Sequence, residues 1–267
     1  MTKIKLDNLL NTRDLGGIKT KHGYTIKSKR LIRSGKLYDA SDNDINILTK
    51  KYNLNTIIDL RTIKEITQKP DPKIKGVINH HLPLFEGFLT GISKENKDDF
   101  FEDEFKQFVF LLEKMGDAKK DMMNLYPSLL KEKYARNSFN SIFKLLASNS
   151  EGSILYHCSA GKDRVGVLTL LILSALGVEK DVIIEDYLKT NKFYEKTILN
   201  QIEFAKEQNI DENLIKQIPY AQGVHIDFIL AAYDYIESEF KSVDNYIKTA
   251  IGISDEEILN IRFNYLK

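Results

Sequence analysis

The chain has one cysteine among 267 residues, no tryptophan, five prolines and almost no net charge. Each shortage excludes something. A single cysteine rules out an intramolecular disulfide and any zinc site built on several thiolates. With 39 Lys+Arg against 38 Asp+Glu the formal charge is +1, so bulk affinity for nucleic acid is not expected, although local basic patches stay open. Long apolar runs are missing too. The longest, Val165 to Val178, is too short to span a bilayer and has the length of a buried core helix. Met1 to Asp7 lack the apolar segment of a signal peptide, so a cytoplasmic enzyme without integral membrane contact is expected. No repeat, low-complexity tract or proline-rich linker divides the chain. Its length suits one domain, alone or with a helical appendage.

The lone cysteine stands in His157-Cys158-Ser159-Ala160-Gly161-Lys162-Asp163-Arg164-Val165-Gly166. An apolar run, Ser153 to Tyr156, precedes it and reads as a buried strand; the apolar run from Val165 reads as a helix. The polar segment therefore joins a strand to a helix N-terminus, where unpaired N–H groups and the helix dipole attract anions. Five residues separate Cys158 from Arg164, enough for the backbone to curl around a tetrahedral oxyanion with its N–H groups inward. Gly161 permits close backbone approach. The planar fork of Arg164 matches two phosphate oxygens.

Ser159, Ala160, Gly161, Lys162, Asp163 and Arg164 thus form a candidate phosphate cradle with Cys158 at its base. Its thiol is expected to titrate below the free value of about 8.5 and to attack phosphorus, giving a phosphocysteine that water hydrolyses. Taken singly, these residues are ordinary. A lone cysteine after a strand is commonly a small buried hydrophobe, His157 a core histidine, and Lys162 to Arg164 a charged turn. Their conjunction at this spacing favours the catalytic reading.

The loop resembles the signature of cysteine-dependent phosphatases of the protein tyrosine phosphatase superfamily, and its Gly-Lys-Asp-Arg core resembles the bacterial and fungal branch. Asn11-Thr12-Arg13-Asp14-Leu15-Gly16-Gly17, Arg33-Ser34-Gly35-Lys36-Leu37, Ile58-Asp59-Leu60-Arg61 with Glu65 downstream, Ser242 to Tyr246 and Gly252 to Glu257 fit that branch in order. Residues 86 to 135 match least. The resemblance implies an α/β phosphatase fold over residues 1–267 as a single domain and no cofactor or metal. It also implies a phosphorylated protein or phosphoinositide substrate: phosphotyrosine, sometimes phosphoserine/threonine or phosphoinositides.

Many members of that superfamily carry the general acid on a Trp-Pro-Asp loop, which a chain without tryptophan cannot have. Two carboxylates compete for the role. Asp163 lies in the loop beside Arg164; Asp59 ends a buried strand, and strand C-termini face ligand crevices in open α/β sheets. Asp59 could instead pair with Arg61, and Asp163 could brace the loop. The residue after the arginine, usually Thr or Ser in the family, is Val165, which predicts slow breakdown of the phosphoenzyme. Lys162 is either a second cation for a phosphoinositide or a surface lysine that steadies the loop. Asn11 to Gly17 reads as structural; Arg13, Lys36 and Arg61 receive no role.

Strands alternating with helices imply a central, mainly parallel sheet flanked by helices. Thr56 to Leu60 reads as a buried strand; Tyr24–Ile26, Arg30–Arg33 and His81–Leu84 read as short ones. Ser41 caps a helix over 42–51, and Ser254 with Glu257 forms a capping box for 254–266. Further helices are expected over 165–176, 180–190, 191–208 and 221–240. Phe101, Phe105, Phe108, Leu111 and Leu112 recur at helical spacing. They belong either to core packing or to a helical lid inserted at about 97–133. Besides a phosphotyrosine phosphatase, a phosphoinositide phosphatase and an idle phospho-binding module remain in play. An arsenate reductase would need resolving thiols that are absent.

Overall fold

The computed structural model describes residues 2–85 and 102–267. Among them, strands β1 (Thr2–Lys3), β2 (Arg13–Asp14), β3 (Leu31–Ser34), β4 (Leu54–Asp59), β5 (Ile78–His81) and β6 (Ser153–His157) form one sheet in the order β1-β2-β3-β6-β4-β5. The pairs β3–β6, β6–β4 and β4–β5 are parallel; β1–β2 and β2–β3 are antiparallel. The mainly parallel α/β architecture is as expected. β3 and β4 are successive in sequence, yet β6 lies between them. β6 is parallel to both neighbours, so its C-terminal end lies at the carboxyl edge of the sheet, where ligands bind in open α/β folds.

The helices are α1 (Asp42–Asn46), α2 (Ile63–Gln68), α3 (Glu102–Met115), α4 (Ala118–Lys131), α5 (Lys133–Ser148), α6 (Asp163–Ala175), α7 (Lys180–Leu188), α8 (Asn191–Glu207), α9 (Glu212–Ile215), α10 (Ile218–Gln222), α11 (Ile226–Phe240), α12 (Val243–Tyr246) and α13 (Asp255–Tyr265). They cover both faces of the sheet. Ile58, Ile154 and Tyr156 enter the larger core with α4 to α7, α11 and α13, whereas Ile57 and Leu155 enter the smaller one with Leu37, Leu48 and Tyr52. That split is the two-residue alternation of a strand buried on both sides.

Several boundaries differ from expectation for local reasons. Ser41 caps α1 in a capping box with Asp44, but the helix widens to a π-helical turn over Ile47–Lys51. Arg13–Asp14, read as part of a structural turn, pairs as a strand with β3. Thr25 and Ile26 make only isolated bridges, and the strand expected at His81–Leu84 runs instead over Ile78–His81. The helix expected over 221–240 is broken into α10 and α11, with Gly223 at the end of the first.

The expected lid segment has two parts. In α3, Phe105, Phe108 and Leu112 are buried against Ala205 of α8 and Ile218 and Ala221 of α10, in an apolar cluster apart from the sheet. In α4, Met122, Tyr126, Leu129 and Leu130 join the main core. Residues 97–101, including Phe101, lie outside the described residues.

Candidate active site

Residues 158–162 leave the end of β6 and enter α6 at Asp163. The loop's shape follows from where its carbonyls go. The Ser159 oxygen accepts from the Lys36 N–H at 2.9 Å. The Ala160 oxygen accepts from Asn11 Nδ2 at 3.1 Å and from the Tyr194 hydroxyl at 2.6 Å. The Gly161 oxygen accepts from Asn11 Nδ2 at 2.8 Å and Arg33 Nη2 at 2.9 Å. With the carbonyls held outward, the N–H groups are left for the interior. Those of Gly161 and Val165 reach the Cys158 sulfur. Among the described residues, no carbonyl pairs with the N–H of Ser159, Ala160 or Lys162.

Gly161 has φ +65°, and a β-carbon there would stand 2.5 Å from the Ser34 carbonyl oxygen. The backbone needs both the left-handed conformation and the missing side chain.

A buried ion cluster braces this arrangement from behind. Asp186 of α7 takes Arg13 Nε at 2.9 Å and Arg33 Nη1 at 2.6 Å. Burial opposes its charge, yet Arg33 and Arg13 hold the Asp186 carboxyl below its ordinary value. Removing either partner would strand a charge in the core.

Arg164 is buried, and Glu65 of α2 grips its fork: Nη1 to Oε2 at 2.7 Å and Nη2 to Oε1 at 2.8 Å. The Ser159 hydroxyl also donates to Glu65 Oε1. Burial disfavours the Glu65 carboxylate, but the bonds and charge of Arg164, with Ser159 and the Thr62 N–H, pull its pKa to about 2.

The sulfur differs from expectation. Burial pushes the Cys158 thiol above its ordinary value and Asp163 adds to the push, while Arg164 and the two N–H groups pull the other way. A fully desolvated sulfur beside a carboxylate thus opposes the cradle's positive side.

The two acid candidates have unlike surroundings. Asp163 takes the Tyr126 hydroxyl on Oδ1 at 2.8 Å, and Oδ2 lies 3.9 Å from Lys162 Nζ. Asp59 instead pairs with Arg61: Oδ1 accepts from its backbone N–H at 2.9 Å and Oδ2 from Nη2 at 2.7 Å. Burial opposes the Asp59 charge, but His157 and Arg61 hold its carboxyl below the ordinary value. His157 Nε2 lies 2.9 Å from Asp71 Oδ2. Potential ligand atoms of Asp59, Asp71 and His157 fall within 4.8 Å of one another, yet Arg61 bridges both carboxylates and fills that corner with its own charge.

The sequence model of the tyrosine phosphatase family matches residues 4–267. The chain belongs to that family. It is a protein-tyrosine phosphatase. A putative tyrosine-protein phosphatase of Cupriavidus necator is 28% identical, with 98% of this chain and 88% of that protein aligned. The triple specificity protein phosphatase PtpB of Mycobacterium tuberculosis is 25% identical over 97% of each chain. A tyrosine-protein phosphatase of Nostoc commune is 27% identical over 85% of this chain and 70% of its own. No helix among the described residues is long and apolar enough to cross a membrane.

In this phosphatase Lys162 steadies the loop, as one of the two sequence readings had it, but from a buried position and not from the surface. It is buried, and its ammonium donates to the carbonyls of Ala221 at 2.5 Å and Gly223 at 3.4 Å. It ties the loop to the end of α10. The sequence also left Asn11, Arg33, Glu65, Asp186, Tyr126 and Tyr194 without site roles. Four of these contact the loop backbone or Arg164, and Tyr126 contacts Asp163. Asn11, Arg33 and Glu65 lay in quoted motifs, but Asp186, Tyr126 and Tyr194 had no local pattern to betray them.

Proposed function

We propose that this enzyme hydrolyses phosphotyrosine in proteins through a phosphocysteine intermediate, without a metal. Cys158 is the nucleophile. Arg164 and the N–H groups of residues 159–164 hold the three non-bridging oxygens as charge develops on them. The sulfur attacks phosphorus, the bond to the tyrosine oxygen breaks, and Asp163 gives its proton to that oxygen. Water then attacks the phosphocysteine, returning a proton to Asp163 and releasing phosphate and the thiolate.

The observation that carries this reading is the outward anchoring of the Ser159, Ala160 and Gly161 carbonyls around the buried Cys158. Asp163 is favoured over Asp59 as the acid, because both Asp59 oxygens are engaged by Arg61 and a depressed carboxyl pKa suits a structural anion. A relative named for triple specificity aligns over 97% of this chain, which supports activity on more than one class of phosphoester.

The test is a panel of phosphotyrosine peptide, phosphoserine peptide and phosphoinositide vesicles, assayed in chelator with wild type and Cys158→Ser. Turnover of phosphotyrosine peptide by wild type alone is expected. Activity that survives in Cys158→Ser, or that requires added metal, would overturn the mechanism.

A further inference from the structure

Two tyrosines stand behind Asp163. Tyr126, from α4, donates its hydroxyl to Asp163 Oδ1 at 2.8 Å, and Tyr187, from α7, meets the Tyr126 hydroxyl at 2.5 Å. Both rings are buried and cross edge-on, with centroids 6.0 Å apart. Each hydroxyl has one proton. Because Tyr126 gives its proton to the carboxylate, the proton between the two phenols comes from Tyr187. The order Tyr187 to Tyr126 to Asp163 is then fixed by counting donors. Burial, with Asp163 next, pushes both phenols well above their ordinary value, so the chain keeps its protons through neutral pH.

Resting on the reading of Asp163 as general acid, we infer that Tyr126 is a positioning residue for the leaving-group proton. It pins Oδ1 of Asp163 and leaves Oδ2 as the oxygen that carries and delivers the proton. In the first half-reaction the Oδ2–H bond breaks as the bridging ester oxygen takes the proton and the phosphoryl group passes to Sγ. Asp163 is left as a carboxylate with Oδ1 still held. In the second, water supplies the proton that restores Oδ2–H.

The surroundings of Asp163 fit this division. Tyr126 faces it from α4 and Tyr187 stands behind from α7; Lys162, Arg164 and Cys158 come from the loop and α6. Of the two cations, Arg164 is taken by Glu65, and Lys162 is held on the carbonyls of Ala221 and Gly223, 3.9 Å from Oδ2. The only hydroxyl hydrogen bond to Asp163 among the described residues is the one on Oδ1. α4 is thereby part of the catalytic wall.

The experiment compares pH–rate profiles of wild type, Tyr126→Phe, Tyr187→Phe, Asp163→Asn and a control, Tyr233→Phe, which removes a buried hydroxyl elsewhere. Phenyl phosphate and 2,4-dinitrophenyl phosphate serve as poor and good leaving groups. Removing a donor to the charged form should move the basic limb of the Tyr126→Phe profile up by roughly one pH unit. Its kcat on phenyl phosphate should fall about tenfold with KM unchanged, while the good leaving group is spared. Tyr187→Phe should shift the same limb the same way by less, and it keeps every atom that touches Asp163 should Tyr126→Phe fail to fold. Folded Phe variants whose profiles superimpose on wild type, or that match the control, would overturn the inference. An Asp163→Asn enzyme that keeps its basic limb would instead remove the general-acid reading beneath it.

Discussion

Glu65 holds Arg164 through both carboxylate oxygens, and the same carboxylate closes the N-terminus of α2. Oε2 takes Arg164 Nη1 at 2.7 Å and the Thr62 N–H at 2.8 Å; Oε1 takes Nη2 at 2.8 Å. A helix cap and an anion clamp thus share one side chain, so the angle of the guanidinium is set by the seat of α2 on the sheet. Glutamine also completes a capping box. Glu65→Gln therefore isolates the charge: the cap survives and the bidentate pair does not.

The first prediction concerns that substitution. At pH 7, Glu65→Gln should cost about 2 kcal/mol of stability and lower kcat/KM at least about tenfold. The pH dependence has a definite sign. A carboxyl held near 2 in the fold, against about 4.3 unfolded, adds stability that is complete above the unfolded value and is lost as pH falls toward 2. The Tm of wild type should fall through that window, and the variant should flatten this part of the curve. Scanning calorimetry between pH 2 and 7 checks it, and parallel curves would refute it.

The second prediction concerns Gly161→Ala. Positive φ and a 2.5 Å approach to the Ser34 oxygen mean that both the loop and the end of β3 must move. A loss of about 2–3 kcal/mol and a fall in kcat of at least roughly a hundredfold are expected, because misplaced N–H donors no longer meet the oxygens. Near-normal turnover on p-nitrophenyl phosphate would show that the curl is not what holds the anion.

These two residues also show what was legible in the sequence. Gly161, Cys158 and Arg164 could be found because one contiguous segment carries its whole meaning: the strand before, the turn within and the helix after are local. The parallel sheet was legible from the same alternation of strand and helix. Asp186 was not, because an aspartate in a surface-like stretch of Glu185-Asp186-Tyr187 gains its role only where α7 brings it between Arg13 and Arg33. Lys162 was left open for a related reason: its partners are two backbone carbonyls near residue 222, and no side-chain pattern advertises a carbonyl. Pairing across 59 residues is a property of the fold.

The third prediction follows from that lysine. Lys162→Met keeps the apolar stem but leaves the Ala221 and Gly223 carbonyls without their donor. A loss of about 1–3 kcal/mol is expected, with reduced turnover on every substrate alike. The ratio of phosphoinositide to phosphotyrosine-peptide activity should not change, since the ammonium faces α10. A selective loss of phosphoinositide activity would reassign Lys162 to the substrate.

The fourth prediction concerns the sulfur. Asp163 pushes the Cys158 thiol up and Arg164 pulls it down. The midpoint of iodoacetamide inactivation against pH should therefore move lower in Asp163→Asn and higher in Arg164→Met, each relative to wild type. Shifts of the opposite sign would mean that other charges govern the nucleophile.

The fifth prediction concerns the position after the arginine, where the family usually has a hydroxyl and this chain has Val165. The side chain is fully buried at the start of α6, and its backbone N–H already reaches the sulfur. A threonine hydroxyl in a helix commonly bonds back to the carbonyl four residues earlier. Here that carbonyl belongs to Gly161 and is occupied by Asn11 and Arg33. In Val165→Thr the hydroxyl would find Sγ a better partner than the backbone, and a donor there stabilises the thiolate as it leaves phosphorus. Wild type should show a burst of phenol release followed by a slower steady state, set by hydrolysis of the phosphocysteine. Val165→Thr should shrink the burst and raise the steady rate about tenfold, the lower end of what one hydrogen bond to a charged leaving group contributes. Rapid-quench measurement separates the two phases. A wild-type enzyme with no burst, and a variant with the same steady rate, would place the slow step before the phosphoenzyme and leave Val165 without kinetic consequence.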